Sequence, residues 1–177
     1  MASIINVDKV RATGSTTDGL IVDSSGRVTT PAQPAFFAYL TADQSITINS
    51  WDKIEFNATD FDTGSDFDSS TNYRFVAPVN GVYQFNSSLN PDYSSGSNTR
   101  VFARFYKNGS AYAQFAHETL YANDRGIVSG SITMKLDATD YVEIFIYLEG
   151  GTSSVVNGAA PSSSNGAPTH FSGFLVG

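Results

Sequence analysis

Tyr141-Val142-Glu143-Ile144-Phe145-Ile146-Tyr147-Leu148 alternates without a break. Val142, Ile144, Ile146 and Leu148 fall on one side of an extended chain, and Tyr141, Glu143, Phe145 and Tyr147 on the other. Successive side chains of a strand point to opposite faces, so this period of two reads as a strand with one face in a core and the other toward solvent. Similar runs punctuated by turn residues extend in both directions: Phe36–Leu40, Ser45–Ile48, Lys53–Phe56, Arg74–Val76, Gly81–Leu89, Thr99–Lys107, Gly126–Leu136 and His170–Val176. Asn108-Gly109 is a strong hairpin signal, because both turn positions favour φ > 0, and it joins Val101–Lys107 to Ala111–His117. No 3.6-residue apolar period occurs, so the chain is all-β.

Two strands break the amphipathic rule. Phe36, Ala38 and Leu40 oppose Ala35, Phe37 and Tyr39, while Phe171, Gly173 and Leu175 oppose Phe174 and Val176. A strand apolar on both faces is usually covered on both. In a two-sheet antiparallel jelly-roll sandwich the first and last strands are neighbours and only one of their faces meets the core. Self-association is the simplest cover for the second, with Phe36, Phe37, Tyr39, Phe171 and Phe174 as candidate interface residues.

Bulk properties narrow the functions. The 177 residues include no Cys, which excludes disulfides and thiolate metal sites. A domain of roughly 145 residues buries about 70% of its unfolded surface and needs no such staple. A net charge of −7 with only ten Lys and Arg argues against nucleic-acid partners. No run approaches the ~20 apolar residues of a membrane helix, so membrane insertion is not expected. Met1-Ala2-Ser3-Ile4-Ile5 lacks the cationic start and apolar run of a signal peptide.

Residues 1–33 stand apart from the body at 34–177. Two short apolar runs, Ile5-Asn6-Val7 and Leu20-Ile21-Val22, are separated by Gly14–Gly19, and Pro31 and Pro34 mark the boundary. Neither run buries enough apolar surface to offset its own ordering entropy. We read this segment as an extended N-terminal arm that orders on a partner.

Chemistry is sparse. A Ser or Thr nucleophile would depend on His117 or His170 as base, and no Gly-x-Ser-x-Gly elbow or phosphate loop occurs. The chain is read as a non-enzyme with no catalytic or cofactor-binding residues. Asp60, Asp62, Asp66 and Asp68 are four carboxylates within nine residues and are hard oxygen ligands of the kind calcium takes. Their spacing departs from the helix-loop-helix pattern; a solvated loop between strands is the reading adopted, with calcium as the alternative. In Thr99–Lys107, Phe102, Arg104 and Tyr106 share the face opposite Val101, Ala103 and Phe105. They are candidate surface contacts, either stacking on sugars or lying under loop Asn90–Asn98.

The blocks Pro34-Ala35-Phe36-Phe37-Ala38, Phe75-Val76-Ala77-Pro78-Val79-Asn80-Gly81-Val82-Tyr83-Gln84-Phe85, Leu136–Glu143 and Phe171-Ser172-Gly173-Phe174-Leu175 together resemble the globular-head domain of the first complement component, a family sharing the tumour-necrosis-factor jelly roll. The resemblance implies a homotrimer. Tyr73 departs from the family's usual glycine, and no collagen-like stalk is present. The arm, with Ile5–Val10, Leu20–Thr29 and Pro31, is similar to virion proteins of tailed bacteriophages, especially marine and cyanobacterial ones. That similarity implies a virion-surface structural protein assembled in the host cytoplasm: a capsid decoration or short-fibre trimer, anchored to other virion proteins by its arm and adhering to a host-surface glycan. The alternatives are a distal tail-fibre tip and a secreted lectin-like or signalling ligand.

Overall fold

A computed structural model describes residues 7–93, 99–120, 126–150, 154–161 and 169–177, with side chains left undescribed at Tyr93, Thr99, Leu120 and Ser154. Part of the Ile5–Val7 run and most of loop Asn90–Asn98 lie outside the described residues. The N-terminal segment forms a meander of β1 (Lys9–Val10), β2 (Leu20–Val22) and β3 (Val28–Thr29). The Leu20-Ile21-Val22 run of the arm is thus the central strand of this small sheet. Asp18 receives Lys9 at 2.7 Å and Arg11 at 3.5 Å. Asp23 accepts the Ser25 and Arg27 amides and pairs with the Arg27 guanidinium at 2.6 Å, folding the β2–β3 turn. Short polar clips of this kind order a chain too poor in apolar residues to make a core.

The body is a sandwich of antiparallel strands. One sheet runs β14 (Val128–Leu136), β10 (Gly81–Leu89), β17 (His170–Leu175), β4 (Ala35–Tyr39), β7 (Ala58–Thr63). The facing sheet runs β13 (Ser110–Leu120), β12 (Thr99–Lys107), β15 (Tyr141–Glu149), β9 (Arg74–Val76), β8 (Phe67–Asp68), with β6 (Trp51–Lys53) also paired to β15. A small third sheet is formed by β11 (Pro91–Tyr93), β16 (Ser154–Val156) and β5 (Gln44–Ser45). First and last body strands are neighbours, with His170 opposite Tyr39 and Gly173 opposite Phe36.

The strand that opened the sequence reading behaves as its alternation requires: Val142, Ile144, Ile146 and Leu148 are fully buried. The core between the sheets is aromatic. Phe36 stacks on Phe67 at 5.0 Å and Phe75 at 4.9 Å, and Phe171 meets its edge at 5.0 Å. Such pairs add about 0.5–1.5 kcal/mol each beyond area burial. Tyr83 is buried among them because its hydroxyl donates to the Val79 carbonyl at 2.8 Å.

This packing corrects two of the five interface candidates. Phe36 and Phe171, at 1% and 0% exposure, are spent inside the protomer. The pleat leaves Phe37, Tyr39 and Phe174 on the opposite face of the same strands.

The acidic segment is also corrected: Asp60 and Asp62 lie in β7 and Asp68 in β8, with only the tight turn around Gly64-Ser65 between them. Of the runs read at 45–48 and 53–56, only Ser45, in β5, and Lys53, in β6, lie in strands. Ile46, Ile54 and Phe56 are buried from irregular chain, because the core needs their volume and not their ladder bonds.

Candidate functional site

On the solvent side of the β13–β12–β15–β6 ladder the register sets His117, Phe102, Tyr147 and Trp51 in one row across four strands. Phe102 stacks on His117 at 4.4 Å and meets Tyr147 edge-on at 5.9 Å; Tyr147 lies 5.4 Å from Trp51. In the next row the Arg104 guanidinium covers the Trp51 ring at 4.2 Å. It donates from Nε and Nη2 to Gln114 Oε1 at 3.3 and 3.2 Å. Tyr106 stacks on Phe145 at 4.0 Å. The three contact candidates are thus brought together, each half-buried.

Sequence reasoning missed the rest of this cluster. Trp51 lies just ahead of the run read at Lys53–Phe56, yet it is the first residue of β6. Tyr147 and Phe145 were assigned outward, but their neighbours across the ladder needed the register. A cleft of about 190 Å³ is lined by Trp51, Phe102, Arg104, Tyr147 and Glu149. Charged pairs bound the cluster: Arg100–Glu149 at 2.5 Å on one margin and the largely buried Lys53–Glu143 at 3.2 Å on the other.

The second surface is the outer face of the five-stranded sheet. Phe37 sits opposite both Ser172 and Phe61, and Phe174 opposite Ala35 and Gln84. His170 stacks on Phe37 at 4.8 Å. Phe61 and Phe174 are 50% and 45% exposed, so this face carries large apolar side chains into solvent. Phe61 was missed because its segment looked like an acidic loop. His117 and His170 lie on different sheets.

The four aspartates do not gather into one ligand cluster. The Asp62 carboxylate accepts the Asp66 and Phe67 amides, each at 3.1 Å. Asp68 accepts the amides of Thr71, Ser70 and Asn72, and the Thr71 and Ser70 amides chiefly hold its pKa far below the ordinary carboxylate range. Asp66 is displaced upward, first by burial and then by the Asp62 charge. Asp60 points to solvent. Two of the four are therefore committed to backbone turns, and among the described residues no three acidic or imidazole side chains gather as a metal set. Finally, a cleft of about 450 Å³ has walls from both the meander (Gly19, Thr30) and the body (Asp66, Val79, Leu175).

Known proteins share this architecture. The solved globular domain of zebrafish complement 1qA superposes with a TM-score of 0.55 at 20% identity, covering 82% of this chain and 98% of that one. Murine APRIL superposes with a TM-score of 0.57 at 8% identity, covering 81% and 99%. The phage-like element PBSX protein XkdV of Bacillus subtilis (strain 168) is 34% identical over 142 residues, covering 74% of this chain but only 19% of that protein. The model of the C1q domain matches residues 35–176, from the first strand of the body through the last. The chain belongs to the C1q domain family.

Proposed function

We propose that this chain is a homotrimeric structural protein of a phage virion surface, a decoration or short-fibre protein held by residues 1–33 and presenting its jelly roll outward. The observation that carries the reading is the kinship with XkdV, which extends over 74% of this chain. Because the chain spans only about a fifth of that relative, the shared part acts as a module and not as a copy of its whole role. Exposed Phe61 and Phe174 beside Phe37 and Tyr39 support closure into a trimer, since a symmetric ring hides such a face completely. The meander, with little apolar surface of its own, is suited to docking on another virion protein. Contact with the host surface would then fall to the faces left outside the trimer.

The test is assembly. Immunogold labelling of particles from the source should mark the virion and separate head from tail; tail-tip labelling would favour the distal-fibre alternative. Removing residues 1–32 should leave a folded body that no longer joins particles. Incorporation of the truncated protein would assign attachment to the body instead. Recovery only as free soluble protein, with no label on particles, would favour the secreted lectin-like ligand.

A further inference from the structure

The aromatic row on the outer sheet lies outside the buried core. Behind it, Val101, Ala103, Phe105, Ile144 and Ile146 are fully buried and complete the packing. A sheet face turned to water ordinarily carries polar residues. Here it carries Phe102, Tyr106, Phe145, Tyr147 and Trp51, all partly exposed.

We propose that this row is a saccharide-binding site that takes a pyranose ring in the cleft between Trp51, Phe102 and Tyr147. A pyranose has an apolar C–H face that packs on aromatic rings and a rim of hydroxyls that needs both donors and acceptors. The cleft supplies both. Arg104 is immobilised against Trp51 and Gln114, which preorganises its guanidinium. Among the described residues its remaining N–H groups have no acceptor, and Glu149, whose Oε1 pairs with Arg100, adds a carboxylate to the lining. At about 190 Å³ the cleft admits one sugar ring, while the row across four strands offers adjoining rings to the next units of a chain.

A protein partner fits less well. It needs about 800 Å² per side, and the Arg100–Glu149 and Lys53–Glu143 pairs hem the row in at both margins. The inference requires the outer sheet to stay open to solvent; it does not depend on where the protein sits on a virion.

Trp51 is the only tryptophan of the chain, so its fluorescence reports on this site alone. The full-length protein is titrated with di- to tetrasaccharides of neutral hexoses, N-acetylhexosamines and uronic acids. At least one class should give a saturable change in emission with a dissociation constant on the order of 1 mM. Tyr147→Ala and Arg104→Gln should each weaken that binding about tenfold or more, while Tyr112→Ser, an exposed aromatic outside the row, leaves it unchanged. Calorimetry with Trp51→Ala gives a second readout, with loss of the binding heat expected. A flat response across the panel, or undiminished binding in both Tyr147→Ala and Arg104→Gln, would overturn the assignment. Saturable binding by a protein that proves monomeric would keep the site and sink the trimer; a trimer blind to the panel does the reverse.

Discussion

Gly173 shows how little room the centre of this fold has. Its position on β17 faces the core between Phe36 and Phe85, its register partners on both sides. A Cβ there would stand 2.7 Å from Phe85 Cε1 and 2.9 Å from Phe36 Cε1, closer than carbon atoms approach. Both rings are buried and pinned by their own neighbours, so neither yields without disturbing Phe75 or Phe171. Gly173→Ala should therefore destabilise the protein by about 1–3 kcal/mol, the usual cost of overpacking. Urea unfolding measures it, and a midpoint unchanged from wild type would show that the ring cluster is looser than its contacts imply. The glycine was visible in the sequence as part of a closing-strand motif. Its reason was not, because the rings that crowd it come from 88 and 137 residues away in the chain.

At the next scale, the hairpin of β12 and β13 illustrates a turn whose signal was legible and whose anchoring was not. Asn108 and Gly109 have φ of 51° and 74°, as a two-residue hairpin turn demands. The Asn108 side chain then does more than permit the turn: it donates to Asp140 Oδ1 at 2.7 Å and accepts the Tyr141 amide at 2.9 Å. Asp140 also binds Lys107 at 2.8 Å and accepts the Asp137 amide at 2.9 Å. Its pKa is lowered to about 2, chiefly by the Lys107 ammonium and then by Asn108 and the Asp137 amide.

A carboxylate depressed in the folded state stabilises at pH values above its unfolded pKa of about 3.9, and that contribution disappears as pH falls toward the folded value. Asp140→Asn should accordingly be less stable than wild type at pH 6, with the gap closing between about pH 4 and pH 2. Urea midpoints across that range check it; a gap independent of pH would mean that geometry, not charge, is what Asp140 supplies. Elsewhere the acidic residues misled. β7 reads as Ala-Thr-Asp-Phe-Asp-Thr, a composition poor for a strand, and it forms because β4 offers it a ladder from Ala35 to Tyr39. Tertiary pairing overrides so weak a local preference.

For the whole molecule the decisive question is what covers the five-stranded sheet. The trimer we propose predicts a mass near three times 18.9 kDa by size exclusion with light scattering. A charge in the middle of the closed face should open it. Phe174→Asp, 45% exposed in the protomer and so harmless to its core, should elute near 18.9 kDa with an unchanged far-UV spectrum. A trimer surviving this change would place the contact on another face. The candidate interface residues most worth testing are Phe37, Tyr39, Phe61 and Phe174, since substitutions at Phe36 and Phe171 would unfold the protomer before they reported on assembly.

Alternation, turn chemistry and composition were enough for an all-β chain and most of its longer strands, because these follow from local geometry and from which side chains avoid water. They also exposed the doubly apolar strands. Which face of those strands looks inward, however, is a matter of register: a one-residue slip exchanges the two sets, and only the sheet opposite selects one. The same holds for the aromatic row, whose members are scattered from residue 51 to residue 147 and become neighbours only when four strands align. Sequence carried the two ingredients of both surfaces, and long-range pairing decided which side chains share a face.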